Sequence, residues 1–143
     1  MNILYTAHAT STGGRQGHGA TDDGALDVTL TTPKSMGGDG AAGTNPEQLF
    51  AVGYAACFES ALSLVAQRMK IDADDASVES RVHLQPTEER GFKLAVEMDV
   101  TLPSVEDEQA VELVQAAHKV CPYSNATRGN IDVGFTANGE PVD

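Results

Sequence analysis

The chain has 143 residues, a length that predicts a single domain spanning 1–143 and suffices for a hydrophobic core. Its 21 acidic residues outnumber 9 basic ones, and the net charge of −12 argues against nucleic-acid and anionic-membrane partners. The first residues do not read as a signal peptide, and we find no apolar run of the roughly 18 residues that span a bilayer, so a cytoplasmic protein is predicted.

Two strands are predicted in the first third of the chain, which also contains two glycine-rich stretches, 12–19 and 37–43. Residues 4–10 are β-prone, and residues 26–32 alternate apolar and polar side chains as a half-buried strand does. Glycine lets a backbone fold tightly around a site, and the glycine-rich stretch 12–19 contains Arg15. Arg15 is therefore a candidate functional cation, with an exposed arginine on a turn as the alternative.

A long buried helix is predicted from Pro46 to about Met69. Asn45 suits the N-cap, Pro46 suits the first helical position, and Gln48 stands three residues after the cap. Residues 49–65 include a single charged side chain. A helix that is apolar nearly all round is typical of a buried one.

Two features of this helix point beyond simple burial. Glu47 lies in the first turn, where a carboxylate compensates the helix dipole and could also pair with Arg15. Small residues share one stripe of the helix at three- and four-residue spacing: Gly53, Ala56, Cys57 and Ser60. Because small side chains let a backbone come close, we predict that this stripe packs against another helix at an interface between two subunits.

The second half of the chain predicts further strands. Residues 77–85 and 92–102 alternate in polarity and flank a polar turn at 88–91, as in a β-hairpin. Residues 131–136 make a last strand. Strands, buried helix, strands, amphipathic helix and strand together predict an α+β fold with mainly antiparallel sheets.

The amphipathic helix is predicted over residues 105–120. Ser104 can cap it, with Asp107 placed for a capping box. Pro122 ends it near Cys121. Its apolar face consists of four residues: Ala110, Leu113, Val114 and Ala117.

The two cysteines are the candidate reactive groups. A thiol in apolar surroundings has a raised pKa, and Cys57 lies too far into its helix for the helix dipole to ionise it. If Cys57 reacts, a cation must therefore approach it, and Arg15 is the candidate, with Arg68 and Arg128 as competitors.

Two alternatives remain for the cysteines on the residues alone. Free cysteine packs as a small hydrophobic residue, so both thiols could simply be buried. Two cysteines with His118 and a second histidine would also suit zinc. Cys57 and Cys121 are 64 positions apart, however, with no close Cys or His pair, and we expect no metal.

Three segments of the chain resemble the organic hydroperoxide resistance proteins, a branch of the osmotically inducible protein C (OsmC/Ohr) superfamily. They are Tyr5-Thr6-Ala7 with Thr12-Gly13-Gly14-Arg15; Thr44-Asn45-Pro46-Glu47-Gln48-Leu49-Phe50 leading into Gly53-Tyr54-Ala55-Ala56-Cys57-Phe58; and His118 with Cys121-Pro122-Tyr123-Ser124-Asn125-Ala126-Thr127-Arg128-Gly129-Asn130-Ile131. The resemblance spans nearly the whole chain, and the last segment is highly specific.

The resemblance implies an enzyme that reduces alkyl or fatty-acid hydroperoxides to alcohols. In that family the cysteine matching Cys57 is peroxidatic and forms a sulfenic acid, and the one matching Cys121 resolves it as a disulfide. Residues matching Arg15 and Glu47 complete the site. The fold is an intertwined homodimer with sheets around central helices, no cofactor is implied, and the electrons come from dihydrolipoamide or a lipoylated protein. A redox sensor or ligand-binding member without turnover, and a zinc-binding structural protein, stay open as alternatives.

Overall fold

A computed structural model describes residues 1–143, and the chain divides into two compact units, Met1–Leu49 and Phe50–Asp143. The first unit holds three strands and the start of a long helix. The second holds the rest of that helix, two further helices and four strands. These elements confirm the predicted α+β class.

The first unit contains one antiparallel sheet in the order β1 (Ala9–Thr12), β2 (His18–Thr21), β3 (Asp27–Thr29). A 3₁₀ turn at Gly14–Gln16 links β1 to β2. The first strand predicted at residues 4–10 is wrong in its bounds, because the pairing with β2 begins only at Ala9. Propensity marks the β-prone residues, whereas strand bounds depend on a paired neighbour.

The long helix α1 runs over Pro46–Arg68, as its N-terminal signals predict. The backbone N–H of Gln48 donates to Asn45 Oδ1 at 2.8 Å, which confirms the N-cap. Only one face is buried in the single chain: Tyr54, Phe58, Ala61, Leu62, Val65 and Ala66. The predicted burial is found for this face, whereas Val52 on another face is 70% exposed in the single chain.

Helix α1 has no uninterrupted apolar run of roughly 18 residues, but on average it is apolar enough to meet a length and composition criterion for a membrane span. It contains an 18-residue window with a mean hydropathy of 1.7 and at most two charges. By length and composition alone such a helix could cross a membrane, but a core helix of a soluble protein passes the same test. The buried face of α1 lies in the core of the second unit.

The sheet of the second unit has the order β4 (Ser77–Pro86), β5 (Phe92–Thr101), β6 (Val133–Ala137), β7 (Glu140–Val142). The β4–β5 hairpin confirms the prediction, with ten residue pairs in register from Ser77–Thr101 to Pro86–Phe92. β6 runs parallel to β5, because the chain crosses over through two helices before it returns to the sheet.

The last strand, β7, was not predicted. Asn138 and Gly139 adopt positive φ angles of 49° and 85° and turn the chain back from β6 into β7. Asn-Gly is the strongest short-range hairpin signal, so the sequence did contain this information. The Asn138 side chain also accepts from the Leu102 backbone N–H at 2.7 Å and donates to its carbonyl at 3.1 Å.

The helices α2 (Asp107–Val120) and α3 (Pro122–Thr127) form the crossover. The apolar face predicted for α2 is confirmed as buried. The predicted capping box is wrong: α2 begins at Asp107, and the Ser104 hydroxyl instead donates to Asp75 Oδ2 at 2.7 Å. In the core, α1 and α2 pack with β5 and β6, and the rings of Phe58 and Phe135 stack at 4.8 Å.

Candidate active site

The two cysteines lie side by side in the second unit. Both are free thiols, and their Sγ atoms are 3.8 Å apart. Cys57 is half-buried in the middle of α1, whereas Cys121 is fully buried between α2 and α3. The structure therefore brings together the two thiols that the sequence places 64 positions apart.

Cys121 reaches Cys57 because the chain changes direction at that residue. Cys121 has extended backbone angles, φ −61° and ψ 124°, and is both the C-cap of α2 and the N-cap of α3. Pro122 then occupies the first turn of α3, where its fixed φ suits a helix start. Pro122 was expected only to end a helix, and it also begins the next one.

The beginning of α3 also supplies a donor to the thiol. The backbone N–H of Tyr123 hydrogen-bonds to Cys57. Burial raises the pKa of Cys57, this N–H opposes the rise, and the hydrogen bond from Cys121 adds to it. The net pKa of Cys57 in the single chain is above its usual value. Sequence reasoning missed the Tyr123 N–H, although a proline after Cys121 was a signal for a helix start.

Aromatic rings cover the surface of α1 next to this thiol pair. The ring of Tyr123 lies 5.8 Å from that of Phe50 and 5.5 Å from that of Tyr54. The Tyr54 hydroxyl hydrogen-bonds to Ser124 Oγ at 2.8 Å. The α3 segment that contains Tyr123 and Ser124 is therefore attached to α1 by both ring packing and a buried hydrogen bond.

The small-residue stripe of α1 divides between two environments. Gly53 and Cys57 are half-buried and face α3 of the same chain, whereas Ala56 and Ser60 are exposed. A Cβ on Gly53 would lie 2.7 Å from the Tyr123 hydroxyl oxygen. The prediction that the whole stripe meets another subunit's helix is thus corrected for Gly53, which makes room for Tyr123.

We expect Gly53→Leu to destabilise the chain by roughly 1–3 kcal/mol, because the added side chain displaces the Tyr123 ring. Gly53→Ala is the matched control. Its steric effect is opposed by a gain of about 0.8–1 kcal/mol in helix propensity, so its net effect is small. Urea unfolding of the three proteins measures both values, and equal stability of Gly53→Leu and the parent would contradict the contact.

Arg15 and Glu47 form the second pair of predicted site residues, within the first unit. Arg15 Nη1 donates to Glu47 Oε2 at 2.7 Å, and Nη2 donates to Oε1 at 2.5 Å. The hydrogen bonds to Arg15 hold the pKa of Glu47 below its usual range, against the effect of burial, and raise the pKa of Arg15. The pairing predicted for Glu47 is therefore present, as a two-point ion pair.

Glycine geometry sets the position of Arg15. Arg15 lies in the 3₁₀ turn between Gly13, which has a φ of +79°, and Gly17. A Cβ on Gly17 would come within 1.7 Å of the Thr12 carbonyl oxygen, so only glycine fits there. The tight turn directs the arginine toward the first turn of α1, which carries Glu47.

The other candidate cations, Arg68 and Arg128, and the candidate zinc ligand His118 have other surroundings. Arg128 donates to the His118 carbonyl and, at 2.8 Å, to Asn125 Oδ1. The His118 ring packs against Phe135 at 4.8 Å, and burial together with Arg128 lowers its pKa. Arg68 is exposed at the end of α1. No three His, Cys, Asp or Glu side chains are grouped to hold a metal ion.

Comparison with known proteins identifies the family. The OsmC-like protein family model matches residues 37–136, and the chain belongs to that family. The organic hydroperoxide resistance protein of Xanthomonas axonopodis pv. citri is 50% identical over 94% of this chain and 94% of its own. Organic hydroperoxide resistance protein OhrB of Bacillus subtilis is 50% identical over 91% and 95%.

Solved structures agree with this assignment. An organic hydroperoxide resistance protein from Legionella pneumophila is 51% identical, with a TM-score of 0.90 over 94% of this chain and 98% of that one. A structure from Vibrio cholerae with captopril bound in one of its active sites is 48% identical, with a TM-score of 0.94 over 99% and 97%. The predicted resemblance and the OsmC/Ohr-like fold are confirmed.

Proposed function

We propose that this chain is a thiol peroxidase that reduces organic hydroperoxides to alcohols, with Cys57 as the attacking and Cys121 as the resolving cysteine. The observation that carries the proposal is the pair of free thiols 3.8 Å apart, one half-buried and one fully buried. The names of the relatives from Xanthomonas axonopodis and Bacillus subtilis support organic hydroperoxides as the substrate class.

The proposed cycle has three steps. The Cys57 thiolate attacks one peroxide oxygen, the O–O bond breaks, and the alkoxide takes a proton and leaves as the alcohol. Cys57 is now a sulfenic acid, and the Cys121 thiol attacks its sulfur: the S–S bond forms, the S–O bond breaks, and the thiol proton leaves with the hydroxide as water. An external dithiol then reduces the disulfide by exchange and is itself oxidised.

Arg15 and Glu47 have supporting roles in this proposal. Because burial raises the pKa of Cys57, ionisation at neutral pH requires a nearby cation. An arginine in contact with the thiol lowers its pKa by about 1–3 units, and we assign that role to Arg15. The two hydrogen bonds that Arg15 donates to the Glu47 carboxylate fix the orientation of the guanidinium. Arg15 would also stabilise negative charge on the departing oxygen.

The surroundings of Cys57 favour a substrate with an apolar chain. Tyr123, whose backbone donates to Cys57, packs its ring against Phe50, and both rings are partly exposed. Such a surface binds an alkyl group and gains nothing from hydrogen peroxide. The family resemblance supports dihydrolipoamide or a lipoylated protein as the reductant. A cytoplasmic location and a cycle without a cofactor complete the proposal.

We further propose that the single domain of residues 1–143 is completed in a homodimer. The first unit has one buried hydrophobic residue, Leu30, while several large apolar side chains are exposed in both units. They are Met1, Ile3, Leu4, Tyr5, Leu26, Met36, Val52, Leu64, Met69, Phe92 and Tyr123. Exposed apolar surface of this extent marks an interaction site, and the family resemblance supports a second copy of the chain.

Light scattering tests the assembly. We expect a dimer at micromolar concentration, because monomers would leave the apolar faces of both units in water. Val52→Glu places a charge on the exposed face of α1 and is expected to shift the mass toward the monomer. Glu89→Lys in the β4–β5 turn is the control for a surface charge change. A strict monomer in the parent protein would contradict the intertwined arrangement.

Steady-state turnover tests the proposed activity. With dihydrolipoamide as the reductant, we expect catalytic consumption of an alkyl hydroperoxide and slower consumption of hydrogen peroxide. Oxidation of the cysteines without turnover would indicate a redox sensor. An unchanged protein that retains a stoichiometric metal would indicate a zinc-binding structural protein.

A further inference from the structure

Three buried hydroxyl groups join α1 to α3 next to the thiol pair. The Tyr54 hydroxyl is 2.8 Å from Ser124 Oγ and 3.2 Å from Thr127 Oγ1. Tyr54 and Ser124 are 0% exposed and Thr127 is 6% exposed. We call these three residues the hydroxyl cluster.

Packing alone does not account for a buried cluster of hydroxyl groups. The face of α1 that carries Tyr54 is otherwise built from Phe58, Ala61, Leu62, Val65 and Ala66. A buried hydroxyl is destabilising unless it is hydrogen-bonded, and apolar residues of similar shape would fill the same space without that condition. A hydrogen bond differs from apolar packing because it fixes direction and distance.

The hydroxyl cluster fixes the short helix on which the resolving thiol depends. Cys121 is the residue before α3, and α3 has six residues, too few to be stable alone. Ser124 and Thr127 lie on α3, and Tyr54 lies on α1 three residues before Cys57. The hydrogen bonds therefore join the segment after one thiol to the turn before the other.

We propose that Tyr54, Ser124 and Thr127 are positioning residues that keep Cys121 within reach of Cys57 for disulfide formation. The inference rests on the proposed cycle, because resolution is the step that it serves. In that step the sulfur atoms must move from 3.8 Å to bonding distance, an approach of about 1.8 Å. If α3 can move away from α1, the two sulfur atoms must close a longer distance. A second peroxide molecule then competes with Cys121 for the sulfenic acid.

The test measures the effective molarity of the two thiols, by equilibrating each protein with reduced and oxidised glutathione and quantifying the disulfide. This measurement needs no peroxide. Tyr54→Phe and Ser124→Ala each remove one hydroxyl and are expected to lower the effective molarity roughly ten-fold. The control, Thr136→Val, removes a hydroxyl that donates to Asp99 at 2.7 Å in the second sheet, and should match the parent.

Peroxide reactions provide the second measurement. With limiting hydroperoxide, the first oxidation of Cys57 in Tyr54→Phe should change less than the effective molarity does, since the attacking thiol is intact although the Tyr123 N–H beside it is held less firmly. With excess hydroperoxide, sulfinic acid on Cys57 should accumulate several-fold more than in the parent or in Thr136→Val. Mass spectrometry of the Cys57 peptide quantifies it.

The double variant Tyr54→Phe/Ser124→Ala separates positioning from stability. With both partners removed, no buried hydroxyl of that pair is left unpaired, so stability in urea should recover relative to the single variants. The effective molarity should stay low. An effective molarity equal to the parent's, in the single variants or in the double, would overturn the inference. If the parent protein shows no peroxide turnover, the proposed function is contradicted. The glutathione measurement would still report on the positioning of the two thiols.

Discussion

Cys57→Ser is expected to abolish peroxide consumption, because it removes the nucleophile that attacks the peroxide oxygen. Cys121→Ser is expected to consume about one equivalent of hydroperoxide and then stop, or to proceed to sulfinic acid, because nothing resolves the sulfenic acid. Consumption of cumene hydroperoxide per protein, with dihydrolipoamide present, distinguishes the two variants.

The position of the thiols supports this division of labour. Cys57 is half-buried, so a peroxide can approach it, whereas Cys121 is fully buried and reaches only Cys57. The Cys121 sulfur lies 3.8 Å from its target, which favours an intramolecular reaction over a second peroxide. Normal turnover by Cys121→Ser would rule out the two-cysteine cycle.

Arg15→Ala is expected to slow peroxide reduction at neutral pH by about ten-fold or more, because the pKa of Cys57 would rise by about 1–3 units. The direction of the pH dependence follows because the thiolate form of Cys57 is the one that attacks the peroxide. At pH values below the pKa of Cys57 the reactive form becomes scarce, so the variant should lose most activity there. Above the raised pKa the thiol ionises unaided, and part of the rate should return.

The recovery should be incomplete, since Arg15 is also proposed to stabilise the departing oxygen. Arg15→Lys should rescue poorly, because an ammonium cannot replace the two-point contact that the guanidinium makes with Glu47. Glu47→Gln should have a milder effect, as the arginine keeps its charge and loses its orientation. The rate of Cys57 alkylation against pH reports the pKa directly, and an unmoved profile in Arg15→Ala would assign activation to another cation.

The elements of the fold with local signals could be predicted. The start of α1 follows from Asn45, Pro46 and Gln48, all within one turn, and the structure has the expected cap. The β4–β5 hairpin follows from alternation on both sides of a polar turn. The Asn138-Gly139 turn carried an equally local signal that was overlooked.

Features that depend on partners distant in sequence could not be predicted. Which face of α1 is buried depends on the elements that pack against it, and a helix that is apolar nearly all round has little periodicity to predict that face. The Ser104 hydroxyl meets Asp75, 29 positions away, instead of capping α2. The first strand begins at Ala9 because β2 pairs with it from there.

The residues of the candidate site divide in the same way, into those with local sequence signals and those that depend on distant partners. The glycines around Arg15 and the position of Glu47 at a helix start suggested a pair, and the structure has that pair. Nothing local placed Cys121 beside Cys57, and the family resemblance supplied that expectation. The Tyr123 N–H and the hydroxyl cluster were missed, because each depends on how α3 docks against α1.

The most direct test of the central claim is the intact mass of the reduced protein after one equivalent of an organic hydroperoxide. We expect a loss of two hydrogens per chain in the parent, restored by dihydrolipoamide, and a gain of one oxygen in Cys121→Ser. Peptide mapping should place the new bond between Cys57 and Cys121. A parent protein whose mass stays unchanged while the hydroperoxide persists would contradict the proposed thiol peroxidase.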